Sequence, residues 1–107
     1  MNIIITGKNI DLTDAIKKYI EEKMGKLHQY LKDIEPVEVS VWVQANKGKG
    51  EDWSKVEVTL TMPHLTVRCE ELSEDLYGAI DTVQEKLERK LRENKERIIE
   101  QRREVTG

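Results

Sequence analysis

One amphipathic segment, SEDLYGAIDTVQEKLERKLRENKER at residues 73–97, organises the chain. Its apolar residues recur at helical spacing and predict one long helix with a single buried face. These residues are Leu76, Ala79, Ile80, Val83, Leu87 and Leu91. We expect Ser73 to cap the first turn, because its hydroxyl can accept from a free N–H group. Glu74 and Asp75 follow, where negative charge suits the positive end of the helix dipole.

A basic edge runs beside that apolar face, formed by Lys86, Arg89, Lys90 and Arg97. Two interpretations are open. The edge is either a solvated flank with local ion pairs, or a surface that binds a polyanion. Glu85 stands four residues before Arg89, which is a favourable spacing for a local ion pair.

The 107-residue chain is long enough for one domain with a modest core. Its net charge of −3 argues against indiscriminate binding to nucleic acid. The charge is polarised, however, because residues 86–103 carry eight Lys/Arg and four Glu, whereas residues 1–85 carry ten Lys/Arg and sixteen Asp/Glu. Such a distribution can focus a basic patch on an acidic protein. The single Cys69 excludes an internal disulfide and suits a reducing cytoplasm.

The rest of the chain predicts four strands and a second helix. Residues 2–6 are β-branched, and residues 37–44, 55–62 and 65–70 alternate apolar with polar side chains, as strands do. Thr13 is expected to cap a first helix that runs to about Leu31. The apolar stripe of this helix is Ile16, Ile20, Met24, Leu27 and Leu31. Residues 45–52 predict a hairpin loop.

The element order, β-α-β-β-β-α, indicates an α+β domain with a four-stranded mixed sheet. The first strand–helix–strand unit is expected to join parallel strands by a right-handed crossover. Because the strands alternate, both helices are expected to pack on one face and to leave the other to solvent. Trp42 and Trp53 share that open face by parity. We expect them to pair across the hairpin, with a stacking platform for bases as the alternative.

No phosphate-binding loop or dinucleotide fingerprint is present in the sequence. His28, His64 and Cys69 stand in different predicted elements, and Cys69 is expected to point inward as a small hydrophobe. We therefore predict no catalytic residues, no metal site and no cofactor, and we interpret the chain as a binding protein rather than an enzyme.

Two segments carry a resemblance to a known family: MNIIITGKNIDLTDAIKKYIEEKMGKL at residues 1–27 and EDLYGAIDTVQEKLERKL at residues 74–91. The chain resembles the ribosome hibernation promoting factors and ribosome-associated inhibitors, also called the sigma-54 modulation protein family. The resemblance extends over nearly the whole chain. It implies a fold like that of a double-stranded-RNA-binding domain with an added strand.

The resemblance also implies a function, that of a cytoplasmic silencer of idle ribosomes. Basic residues on two helices would face rRNA in the small-subunit channel that holds mRNA and tRNA, so the protein would compete with both. The matching positions are Lys23, Lys26, Lys86, Arg89 and Lys90. Side-by-side packing of the helices is expected to merge their basic edges into one surface. Tyr77 is expected to pack near the helix start, with RNA contact as the alternative.

Two questions stay open at this level. The alternative function is a protein-interaction module that modulates a transcription regulator. For domain organisation, we expect a ribosome-binding domain at residues 1–97 and a helix extension, tail or start of a linker at residues 98–107. The chain corresponds either to a short member of the family or to the first domain of a long one.

Overall fold

The computed structural model describes residues 1–34, 36–46 and 52–94. The described residues form β1 (Asn2–Lys8), α1 (Asp14–Gly25), α2 (His28–Leu31), β2 (Glu38–Asn46), β3 (Trp53–Thr61), β4 (Thr66–Ser73) and α3 (Leu76–Glu93). The strands form one sheet in the order β1-β2-β3-β4. β1 and β2 are parallel, and the two other neighbouring pairs are antiparallel. The predicted α+β fold and mixed sheet are confirmed.

The first helix begins as predicted but does not run unbroken to Leu31. Thr13 Oγ1 accepts from the backbone N–H of Ile16 over 3.2 Å, which confirms the cap. α1 ends at Gly25, and Lys26 is its C-cap. The short helix α2 then resumes along the same side of the domain. The apolar stripe therefore survives the break, and its buried members are Ile20, Met24, Leu27 and Leu31.

The start of α3 differs from the prediction. Ser73 is the last residue of β4 and pairs with Ser54 of β3, so it is not the helix cap. Asp75 takes that role, because its carboxylate accepts from the N–H of Tyr77 over 3.2 Å. Ser73 Oγ accepts from the N–H of Asp75 over 3.1 Å and so holds the cap in place. Residues 95–97, including Arg97, and residues 98–107 lie outside the described residues.

The core lies between the sheet and the long helices, as the alternation predicts. The inward side chains of β2 and β3 include Val39, Val41, Val43, Val56, Val58 and Leu60, all buried. They pack in one cluster with Ala79, Ile80, Val83, Leu87 and Leu91 of α3 and with the stripe of α1 and α2. Cys69 points inward and is buried, which confirms its predicted role as a small hydrophobe. The packing fixes α1 and α3 side by side above the sheet.

The two tryptophans lie on the open face but do not pair. Trp42 stands opposite Glu57, whereas Trp53 stands opposite Asn46. Four residues along β3 separate these positions, a distance of about 13 Å at the usual rise of a strand. The expected cross-strand pair is therefore wrong, because the hairpin register sets the rings apart. Trp42 is 36% exposed.

Candidate nucleic-acid interface

Lys23 lies in the seam between α1 and α3. Its Nζ is 3.1 Å from Oδ1 of Asp81, and Tyr19 Oη donates to the same oxygen over 2.5 Å. The hydrogen bond from Tyr19, together with Lys23, holds the pKa of Asp81 below its ordinary value. The hydrogen bond to Asp81 raises the pKa of Lys23. Lys23 thus stays charged, but an internal carboxylate compensates part of that charge.

Lys26 lies about one turn further along and is exposed. It is close to the flank of α3 that carries Glu88. Tyr30 Oη donates to Glu88 Oε1 over 2.7 Å, and Gln84 Nε2 donates to Glu88 Oε2 over 3.1 Å. The hydrogen bond from Tyr30 is the main cause that lowers the pKa of Glu88, and the charge of Lys26 adds to it. We call Lys23 and Lys26 the seam group.

The three other predicted residues lie on the opposite flank of α3, toward β4. Lys86 Nζ forms an ion pair with Glu71, and Lys90 Nζ donates to the backbone oxygen of Arg68 over 2.8 Å. Arg89 is exposed beside them. These three cations, which we call the cleft group, line a cleft of about 550 Å³ between α3 and β4.

The seam group and the cleft group are therefore separated by α3 itself. An α-helix with its side chains is about 10–12 Å across. Lys23 of α1 pairs with Asp81 on one flank of α3. Lys86 extends from the other flank of α3 and pairs with Glu71 of β4. The two helix edges therefore do not meet directly as expected, because the edge of α3 that carries Lys86 and Lys90 faces β4 and not α1.

Tyr77 packs at the start of α3, as predicted. Its ring meets that of Tyr19 in an edge-on arrangement, with the ring centroids 4.9 Å apart and the planes at 63°. Lys23 Nζ lies 5.5 Å from the centroid of the Tyr19 ring, within range of a cation–π contact. Tyr77 remains 40% exposed.

Neither a metal-binding cluster nor a membrane-spanning helix is found among the residues that the structure describes. His28 and His64 are exposed, in α2 and in the turn before β4. In residues 1–34, 36–46 and 52–94, no group of three or more His, Cys, Asp and Glu is placed to hold a metal ion. No helix within these ranges is long and apolar enough to cross a membrane.

Comparison with known proteins gives this arrangement its context. Residues 3–99 match the sequence pattern of the family described as "Sigma 54 modulation protein / S30EA ribosomal protein". The chain belongs to this family. The match spans β1 to α3, so it includes both groups of cations.

Two curated relatives are similar over most of the chain, and both are called "Ribosome hibernation promotion factor". The one from Lactococcus lactis subsp. cremoris (strain MG1363) is 46% identical over 94 residues, which are 88% of this chain and 49% of the relative. The one from Staphylococcus aureus (strain COL) is 43% identical over 94 residues, or 88% of this chain and 48% of the relative. The chain thus spans about half the length of these two relatives.

Two solved structures have the same fold. The N-terminal domain of Protein Y from Thermus thermophilus superposes with a TM-score of 0.73 at 35% identity, covering 85% of this chain and 96% of that one. A ribosomal subunit interface protein from Coxiella burnetii gives a TM-score of 0.76 at 24% identity, covering 89% and 98%. The second likeness bears on the fold alone.

One cation of α3, Arg92, is absent from the residues predicted from the sequence. It is exposed and follows Glu88 by four residues, so it lies one turn further along the flank that faces Tyr30. The predicted basic edge consists of Lys86, Arg89, Lys90 and Arg97, and Arg92 falls outside it. The three-residue spacing from Arg89 was the available signal, because it places both arginines on adjoining parts of the exposed surface.

Proposed function

We propose that this chain silences translation by binding the small ribosomal subunit in the channel for mRNA and tRNA. The contacts come from Lys23, Lys26, Lys86, Arg89 and Lys90. The observation that carries the proposal is the placement of these cations along both flanks of α3, in a chain whose relatives are named ribosome hibernation promotion factors. A protein with this partner works in the cytoplasm.

The physical role of the cations is neutralisation of phosphates. Such contacts supply affinity and orientation without reading bases. Arg89 offers a forked donor to phosphate oxygens, while the lysines act as mobile point charges. Asp81 accepts from Tyr19 as well as pairing with Lys23, so it repels phosphate less than a free carboxylate would. Glu71 pairs with Lys86 itself and so offsets part of the charge of that cation.

Inhibition then follows from occupancy rather than from a reaction. A folded domain that fills the channel excludes mRNA and tRNA, because the domain and these RNAs need the same space. No bond needs to form or break. The effect therefore depends on one bound copy for each silenced ribosome.

A second candidate function, a protein-interaction module, is favoured by the open sheet face. Trp42 is 36% exposed, Ile4 43% and Leu72 59%, so this face presents large apolar side chains to solvent. Exposed apolar surface is typical of sites that contact other proteins. A regulatory protein would be the partner.

Co-sedimentation with isolated small subunits over a range of salt concentrations tests the main proposal. The test variant replaces Lys86, Arg89 and Lys90 by Ala. The matched control replaces Lys8, Lys17 and Lys18, three exposed lysines outside both groups. We expect the test variant to bind more weakly, with a salt slope lower by roughly one unit for each cation removed, and the control to bind as the parent does.

The outcomes separate the two functions. Unchanged affinity and slope in a folded test variant would overturn RNA binding through the cleft group. If Trp42→Ala with Leu72→Ala abolishes capture of a protein partner while the small subunit is not bound at all, the interaction module replaces the silencer. Circular dichroism and thermal melting establish that each variant is folded.

A further inference from the structure

Arg92 occupies the exposed surface of α3 between the two groups of cations. Residues advance by about 100° along an α-helix, so Arg92 is rotated by about 60° from Arg89 around the helix axis. Arg89 borders the cleft toward β4. Arg92 lies on the other side of it, toward the flank on which Glu88 accepts from Tyr30. The two arginines therefore lie side by side on the solvent-exposed surface of α3, opposite its buried face.

The guanidinium of Arg92 has no ion-pair partner among the residues that the structure describes. No carboxylate in the described part of the chain lies within ion-pair distance of it. Glu88 is the nearest acidic group on its flank, and both oxygens of that carboxylate already accept, one from Tyr30 and one from Gln84. The charge of Arg92 adds to the effect of the Tyr30 hydrogen bond in lowering the pKa of Glu88. The two groups are thus close without a direct contact.

We infer that Arg92 contacts RNA and joins the seam group to the cleft group as one cationic band across α3. The inference rests on the proposed function. The band runs from Lys26 through Arg92 and Arg89 to Lys90. A phosphate backbone that followed the axis of α3 would reach one flank only. A backbone that crosses the helix meets cations on both flanks, with the two arginines as forked donors in the middle.

Two of the acidic groups beside this path are internally compensated. Asp81 is held by Tyr19 and Lys23, and Glu88 by Tyr30 and Gln84. Their negative charge is shared with donors of the protein itself, so a phosphate passing over the seam meets less repulsion. Glu85 and Glu93 are exposed four residues before and after Arg89, so the cationic strip is limited along the helix axis to the level of Arg89 and Arg92.

The test is a salt series of small-subunit binding with Arg92→Ala, Arg92→Lys and the control Lys17→Ala. Lys17 is exposed on α1, about 120° around that helix from Lys23, and is outside the band. We expect Arg92→Ala to weaken binding about threefold to tenfold at low salt and to lower the salt slope by about one unit. Arg92→Lys keeps the charge and should restore the slope. Lys17→Ala should change neither quantity.

Three results would overturn the inference. If Arg92→Ala binds as Lys17→Ala does while the triple Ala variant of the cleft group binds weakly, the band is wrong and the proposed function stands. A weaker affinity with an unchanged slope, not restored by Arg92→Lys, shows that Arg92 binds a group other than phosphate. If the triple variant also binds as the parent does, the proposed function fails together with the inference.

Discussion

Tyr30 donates a 2.7 Å hydrogen bond from its phenol to the carboxylate of Glu88, 58 residues away in the chain. Tyr19 makes the same type of bond to Asp81 over 2.5 Å. The two bonds tie α1 and α2 to α3 at points seven residues apart on α3. They hold the seam group against the helix that carries the cleft group, so the spacing of the two groups depends on them.

These two bonds predict how stability depends on pH. The hydrogen bonds lower the pKa of Asp81 below 3.8 and that of Glu88 below 4.5. In acid the unfolded chain therefore binds more protons, and stability falls as pH drops through the lowered values. The same bonds raise the pKa of Tyr19 and Tyr30 above 10.0, so stability also falls as pH rises beyond 10. Thermal melting from pH 2 to pH 11 measures the loss of stability in acid (the acid limb) and in alkali (the alkaline limb).

The double variant Tyr19→Phe with Tyr30→Phe removes both hydrogen bonds and keeps the rings. We expect its melting temperature to be lower at neutral pH and its acid and alkaline limbs to be shallower than those of the parent. Tyr77→Phe is the matched control, because this ring packs on Tyr19 and its hydroxyl makes no hydrogen bond within the described residues. Equal limbs in the parent and the double variant would contradict the prediction.

Glu71 is predicted to restrain RNA binding by the cleft group. Its carboxylate pairs with Lys86 at the edge of the cleft. Glu71→Gln removes that negative charge and leaves Lys86 free, so we expect binding to small subunits about twofold to fivefold tighter at low salt. The gain should disappear at high salt, where screening removes it. Because the pair is partly exposed, its removal should change stability by no more than about 1 kcal/mol.

The control for this prediction is Glu21→Gln, which removes an exposed carboxylate of α1 outside the two groups. It changes the net charge by the same amount and should leave affinity nearly unchanged. Weaker binding of a folded Glu71→Gln variant would show that Lys86 needs Glu71 to hold it in position. An equal gain in affinity in both variants would show that the gain comes from the change in net charge alone.

The elements of the fold were predictable because each depends on a local pattern. Alternating valines in β2, such as Val39 and Val41, identify a half-buried strand whatever it packs against. The spacing of Val83 and Leu87 identifies the buried face of α3 in the same way. The cap was mistaken because Ser73 suits two roles, and pairing with Ser54 across the ladder keeps it in the strand.

The arrangement of the site was only partly predictable. That Lys23 and Lys86 lie beside apolar stripes follows from helical spacing. Which flank faces which neighbour depends on how α1 and α3 are aligned on the sheet, and no local pattern encodes that alignment. The contact of Lys23 with Asp81 and that of Lys86 with Glu71 are therefore consequences of tertiary packing. The separation of Trp42 from Trp53 is a similar case, since it depends on hairpin register.

Two glycines are predicted to respond to alanine in opposite directions. A Cβ added at Gly7 would lie 2.9 Å from Cγ of Leu12, which is too close for a packed contact. Gly7→Ala should therefore destabilise the domain by about 1–3 kcal/mol, the usual cost of overpacking. A Cβ at Gly25 meets no atom within 4 Å, and the residue is helical. Gly25→Ala should stabilise the domain by about 0.5–1 kcal/mol.

Denaturant unfolding of the two variants and the parent measures these changes directly. Each variant adds one methyl group, so each is the matched control for the other. Equal shifts of the midpoint would show that the crowding at Gly7 is relieved by movement of Leu12. A loss of stability in Gly25→Ala would show that the end of α1 needs a residue without a side chain.

Occupancy predicts a stoichiometric and reversible effect on translation. In an extract titrated with the protein, inhibition should rise in proportion to bound copies and be complete near one copy per ribosome. Washing in high salt weakens phosphate contacts, so washed ribosomes should regain activity with their rRNA uncut. The triple Ala variant of the cleft group serves as the control that binds weakly. Complete inhibition at a small fraction of one copy, or inactivity that persists after the wash, would mean that the protein damages ribosomes instead of occupying them.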